Sequence, residues 1–163
     1  MGILKRCILC TLCIVLCVVS CVSCAQTTEK LSVKELTDII KSNNASGIVW
    51  TALTSEDISA YFGFSDEKVK ELSVFINDDD EHFDIAAAVV FETSEDMLAV
   101  VEPLNKSLTA AEESFKNINV AEGQKIANKL LLKNGSTLVI VISSNYEKIK
   151  DELEKYDFVS VEK

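Results

Sequence analysis

The stretch Lys129-Leu-Leu-Leu-Lys133, Asn134-Gly135, Thr137-Leu-Val-Ile-Val-Ile142 restricts the fold more than any other part of the chain. Asn-Gly between two β-prone runs signals a two-residue type I′ hairpin, because both central residues of that turn need positive φ. The six residues after the turn lack the apolar/polar alternation of a half-solvated strand. Both faces of that strand must therefore be covered, which makes it central in its sheet. Ile85-Ala-Ala-Ala-Val-Val-Phe91 reads as a second deeply buried strand, and Leu72-Ser-Val-Phe-Ile76 as a third.

Helical periodicity fills the intervals. Val33, Leu36, Ile39 and Ile40 recur at helical spacing behind Ser32 and Glu35, a capping box, with an end expected near Asn43-Asn44. Thr54-Ser55-Glu56-Asp57 opens a short helix that Gly63 should stop. Thr93-Ser-Glu-Asp96 caps a long one, whose apolar stripe is Met97, Val101, Leu104, Leu108, Ala111, Phe115 and Ile118. Pro103 lies inside that stripe, and because the register continues across it a kink is expected rather than two helices. Ser144 with Glu147 caps a last helix carrying Tyr146, Ile149, Leu153 and Tyr156.

The order α-α-β-β-α-β-β-α, with the two most apolar strands placed centrally, predicts an α+β fold. Its four-stranded, mainly antiparallel sheet has the order 1-2-4-3, packed with helices on at least one face in a ferredoxin-like manner. At 163 residues there is room for one domain. The expected boundaries are a signal peptide over 1–24, a polar tether over 25–31 and a single extracytoplasmic domain over 32–163.

The export reading comes from the first 24 residues. Met1 to Arg6 form a positive n-region, and residues 7–24 are almost wholly apolar or small and hold all six cysteines. Thirteen helical residues, Cys7 to Val19, rise only ~20 Å, short of the ~30 Å hydrocarbon core. Val18-Val19-Ser20-Cys21 has the pattern of a bacterial lipobox, which would put a lipid on Cys21; Cys24 is the alternative. Two or more acyl chains suffice for stable anchoring, at ~0.8 kcal/mol per buried methylene. An uncleaved signal anchor, or release by an ordinary signal peptidase after small residues, remain open alternatives. The expected location is the outer face of the cytoplasmic membrane.

The body excludes several chemistries. It has no cysteine, hence no disulfide, zinc knuckle or thiol nucleophile. The formal charge of the chain is −10; without the +2 of Lys5 and Arg6 the body stands at −12. Such a body repels phosphate, so nucleic acid is not an expected partner. No glycine-rich phosphate loop occurs, and no cofactor is expected.

Three features together resemble an uncharacterised family of lipoproteins of Gram-positive bacteria, catalogued as a domain of unknown function. They are the export leader with its lipid cysteine; Leu53 to Lys70, including Ser55-Glu-Asp-Ile-Ser-Ala-Tyr-Phe-Gly-Phe64; and the run of buried strand, long helix, Asn134-Gly135 hairpin and closing helix. They cover most of residues 50–156. Pro103 departs from the family's uninterrupted helix, and Phe62 widens its tighter Tyr-Gly step. The resemblance implies a lipoprotein with this fold and brings no catalytic residue.

Few side chains are left to carry chemistry. Asp78, Asp79, Asp80 and Glu81 are weak candidates for a cation, but the glycine and distal glutamate of a calcium loop are missing, and a solvated hairpin tip explains them. His82 is the only histidine, with Asp80 and Asp84 close in sequence to orient it, yet no nucleophile elbow accompanies it. Glu112-Glu113 read as ordinary helix solvation. Trp50, Tyr61, Phe62 and Phe64 could line a partner or ligand patch, though such a cluster is usually core. The expectation is a non-enzymatic lipoprotein whose domain binds an envelope protein or glycan. The alternatives are a small-ligand or cation-binding accessory domain and, more remotely, a hydrolase centred on His82.

Overall fold

A computed structural model describes residues 30–77, 79 and 81–161. The chain runs α1 (Val33–Asn43), β1 (Trp50–Ala52), α2 (Ser55–Phe62), β2 (Val69–Asn77), β3 (Ile85–Phe91), α3 (Ser94–Ala99), α4 (Val101–Lys116), α5 (Val120–Ala127), β4 (Leu130–Asn134), β5 (Thr137–Ile142), α6 (Tyr146–Glu154) and β6 (Val159–Ser160). All strands belong to one sheet of order β1-β2-β3-β5-β4-β6, and every neighbouring pair is antiparallel. The fold is α+β.

The two apolar strands lie side by side at its centre, with Ile85 opposite Ile142 and Val90 opposite Thr137. All six residues of β5 are buried. Side chains of successive strand residues point to opposite faces. Ala87, Val89, Leu138, Ile140 and Ile142 therefore meet Ile58 and Phe62 of α2, Met97 of α3, Leu104 and Leu108 of α4, and Ile126 of α5. Ala86, Ala88, Val139 and Val141 meet Val33, Leu36 and Ile40 of α1 and Ile149 and Leu153 of α6. Ala86 and Ala88 carry nothing beyond Cβ, which lets α1 lie close over β3.

Several expectations are corrected. The sheet has six strands instead of four, so the order 1-2-4-3 gives way to the six-strand order; the four strands read from sequence are its inner members, and β1 and β6 extend its edges. Helices cover both faces, which meets the expectation of at least one covered face and departs only from the ferredoxin-like comparison, in which one face is bare. The expected long kinked helix is two helices broken at Val100, three residues before Pro103. Pro103 falls in the first turn of α4, where its missing N–H has no intrahelical partner to lose. Ile118 lies beyond the helix end and is 81% exposed. The α5 helix was not anticipated at all.

The hairpin turn is Gly135-Ser136, since Asn134 already pairs with Thr137. Only Gly135 has positive φ, 57°, so the turn follows the type II′ pattern with glycine first in place of type I′. The last helix is capped at Asn145, whose N–H donates to Ser143 Oγ at 2.9 Å, and not at Ser144.

Local signals at the other helix starts hold. Ser32 N–H donates to Glu35 at 2.8 Å, and Thr54 N–H donates to Asp57 at 2.9 Å. The Thr93 hydroxyl accepts from Asp96 N–H at 3.1 Å. Gly63 closes α2 with φ 73°.

Candidate functional site

The β2–β3 connection and α5 meet at one end of the sheet. Asn119 caps α5, its side-chain Oδ1 accepting from Ala121 N–H at 3.1 Å and Glu122 N–H at 3.4 Å. That start places Glu122 and Lys125 three residues apart on one face of the helix, turned toward the chain entering β3.

Five charged or polar side chains interlock there. Lys125 Nζ lies 2.7 Å from Glu122 Oε2 and 3.1 Å from Asp84 Oδ1. Phe83 N–H donates to Glu122 Oε2 at 2.9 Å, and His82 Nδ1 lies 3.2 Å from Glu122 Oε1. Asn77 Nδ2 donates to Asp84 Oδ2 at 3.1 Å. Lys125, Glu122 and Asp84 are buried, whereas the His82 side chain is 48% exposed. A carboxylate only accepts, so Nδ1 carries the proton in this contact. Nε2 lies 3.8 Å from Asp79 Oδ2, an ionic contact too long for a hydrogen bond.

The electrostatics follow from this packing. Burial by itself would push the Glu122 carboxyl up, but donation from Lys125, Phe83 N–H and His82 together holds it below its ordinary value. The hydrogen bond to Glu122 raises the His82 imidazole; partial desolvation and the Lys125 charge oppose that, and Asp79 reinforces it. With His82 neutral, one ammonium faces the two buried carboxylates; with His82 protonated, two positive charges face Glu122, Asp84 and the more exposed Asp79.

These groups form part of the wall of an open cleft of about 950 Å³. The 45–49 connection forms another part, with Val49 67% exposed. Behind it, Ser143 Oγ donates to Asn44 Oδ1 at 2.8 Å and Asn145 Nδ2 donates to the Asn43 carbonyl at 3.1 Å, tying the end of α1 to the start of α6.

The residues singled out from sequence are only partly brought together. His82 is at the cleft, but Glu122 holds it, 40 residues away in sequence, while Asp84 is committed to Lys125 and Asn77. Asp79 and Glu81 line the cleft, and Asp78 and Asp80 lie outside the described residues. Among the described residues no group of three or more His, Cys, Asp or Glu side chains is arranged to hold a metal ion. Glu112 is half-buried and paired with Lys116 instead of simply solvated.

The aromatic four do not form one patch. Phe62 and Phe64 are buried in the α2–α5 face, their ring centroids 6.1 Å apart. Trp50 packs on the α1–α6 face, and Tyr61 is exposed. Cys21 and Cys24 lie outside the described residues, among which no helix is long and apolar enough to cross a membrane.

Glu122 and Lys125 went unread as site residues. The Asn119…Glu122 spacing was a usable helix-start signal, but nothing local marks the Glu122…Lys125 pair as buried. Against protein-family models, curated proteins and solved structures, the chain finds no match.

Proposed function

We propose that the body is a non-catalytic binding module of the cell envelope, with the cleft beside His82 as the surface that engages a protein or glycan. A lipid on Cys21, or on Cys24, holds it at the outer face of the cytoplasmic membrane, as in the Gram-positive lipoprotein family that its leader and motifs resemble. The observation that carries the reading is the cleft itself. Its charged groups are bound to one another, which keeps the wall in one shape without a ligand and lowers the ordering cost of association.

In-cell crosslinking of the tagged full-length chain, with mass spectrometry of the captured species, tests it. The expected result is one dominant envelope partner, lost when Cys21 and Cys24 are both replaced by serine and reduced by Val49→Glu at the exposed rim. Capture of nothing beyond background overturns the reading. A small-ligand-binding domain is the second reading, favoured by the cleft volume, which falls among those of small-molecule sites. A raised thermal midpoint with calcium or a small solute would support it through preferential binding to the folded state.

A further inference from the structure

We infer that the body stands on the membrane with its β4–β5 hairpin end toward the lipid and its cleft end outward, so that the cleft meets a partner on the far side of the domain and not one lying at the bilayer surface. The inference rests on the lipid anchor and the binding cleft proposed above, and deepens them by giving the cleft a direction.

The register of the central strands defines the two ends of the sheet. Val90 pairs with Thr137 at one end, and Ile85 pairs with Ile142 at the other. The first end holds the hairpin turn, where Phe91 N–H donates to the Ser136 carbonyl at 3.0 Å. Lys30 and Leu31 lie at this end, sharing a recess of about 350 Å³ with Asn134 and Thr137. From there α1 carries the chain across the sheet. Its Val33, Leu36 and Ile40 pack over Ala86, Ala88, Val139 and Val141. The hydrogen bonds from Ser143 to Asn44 and from Asn145 to Asn43 then fix its last turn at the cleft end.

Lengths decide the direction. The six residues of β5, at ~3.4 Å each, put the cleft end ~20 Å beyond the hairpin end. Cys24 is six residues before Lys30 and Cys21 nine, so the chain between lipid and body reaches at most ~22 Å or ~32 Å. With the hairpin end down, any part of that reach suffices. Turning the cleft end to the membrane lifts Lys30 by the ~20 Å of the sheet, nearly the whole reach from Cys24 and most of it from Cys21. A chain held that straight gives up conformational freedom that the upright arrangement leaves it. The partner surface that enters the cleft is therefore ~20 Å or more from the headgroups, on an envelope protein or glycan that projects beyond them.

Energy transfer to an acceptor lipid reads the direction. The mature lipidated chain carries a donor dye at Ser136→Cys, on the hairpin, or at Ser46→Cys, on the cleft, and is bound to phosphatidylglycerol–phosphatidylcholine vesicles that contain the acceptor. Intact mass assigns the acylated cysteine, and Cys24 is replaced by serine where it carries no lipid. The body has no cysteine of its own, so each variant takes one dye. Ser94→Cys, just after β3, and Ser144→Cys, on the cleft, repeat the comparison where a first variant fails to fold. Transfer should be higher from the hairpin end, by the loss that ~20 Å of added distance produces. Equal transfer from the two ends of a vesicle-bound chain, or higher transfer from the cleft end, overturns the direction and leaves the anchor standing. A mature chain without acyl mass overturns the anchor, and the direction with it.

Discussion

Lys125 shows how strongly one side chain can be committed. Its ammonium sits between Glu122 and Asp84 with only 7% of the side chain exposed. Removing the charge in Lys125→Met leaves two carboxylates buried without their cation, an arrangement that costs about 3–5 kcal/mol. Urea unfolding should show that loss, and adding Glu122→Gln and Asp84→Asn to Lys125→Met should recover part of it. A Lys125→Met variant as stable as wild type would mean that the carboxylates reach water.

The same network sets a pH window. The raised His82 contributes stability in full below its ordinary 6.5 and loses it as pH climbs through the folded value. The lowered Glu122 contributes above its ordinary 4.5 and loses it as pH falls through the folded value. The urea midpoint should therefore peak between those two ordinary values. The decline from neutral to mildly alkaline pH should be absent in His82→Gln; its persistence there would remove His82 from the account. Glu35, Asp38 and Asp57 are also lowered, so Glu122→Gln should soften the acid decline without abolishing it. His82 could be picked out from sequence because it has no rival. Its partner could not, because pairing across 40 residues is a product of the fold.

At the scale of elements, the break between α3 and α4 separates two accounts of Pro103. A proline inside a continuous helix costs about 3 kcal/mol, so replacing it would stabilise the protein. In the first turn of α4 it costs no hydrogen bond and restrains the unfolded chain, so Pro103→Ala should destabilise by about 0.4–1 kcal/mol. The sign of the change in unfolding free energy decides. The apolar stripe kept its spacing across the break, which is why periodicity alone suggested one helix.

The crossing of α4 and α5 depends on Gly123. A Cβ there would lie 2.4 Å from Lys116 Cγ and 3.1 Å from the Lys116 backbone N and Cα. Alanine is favoured over glycine within a helix by about 1 kcal/mol, but backbone cannot step aside as a side chain can. Gly123→Ala should therefore cost about 1–3 kcal/mol on balance. Because α5 carries Glu122 and Lys125, it should also weaken protection of the Phe83 amide from hydrogen exchange. Gain of stability would show that the two helices can part freely.

For the whole molecule, the legible part of the fold is the part whose burial is written into consecutive residues. Two apolar runs mark the centre of the sheet, and cap residues mark the starts of α1, α2 and α3. The edge strands β1 and β6, three and two residues long, carry no alternation to read. They exist because β2 and β4 offer them open ladders.

Charge acts at this scale too. The body holds all 26 acidic residues against the lysines left after Lys5 and Arg6 are set aside, so twelve carboxylates stay in excess even if every lysine is paired. Surface pairs such as Lys34–Asp38 and Lys150–Glu154 contribute little and are screened by salt. The unpaired excess repels itself, and screening relieves that repulsion as well. With so large an imbalance, relief should win. Raising sodium chloride from about 10 mM to about 500 mM at pH 7, across which the Debye length falls from ~30 Å to well under 10 Å, should raise the thermal midpoint. Each kcal/mol gained is worth roughly 4 °C in a domain of this size. A midpoint that falls with salt would mean that the local pairs outweigh the global excess. The loss caused by Lys125→Met should change little across the same series, because its partners are buried from the ions that do the screening.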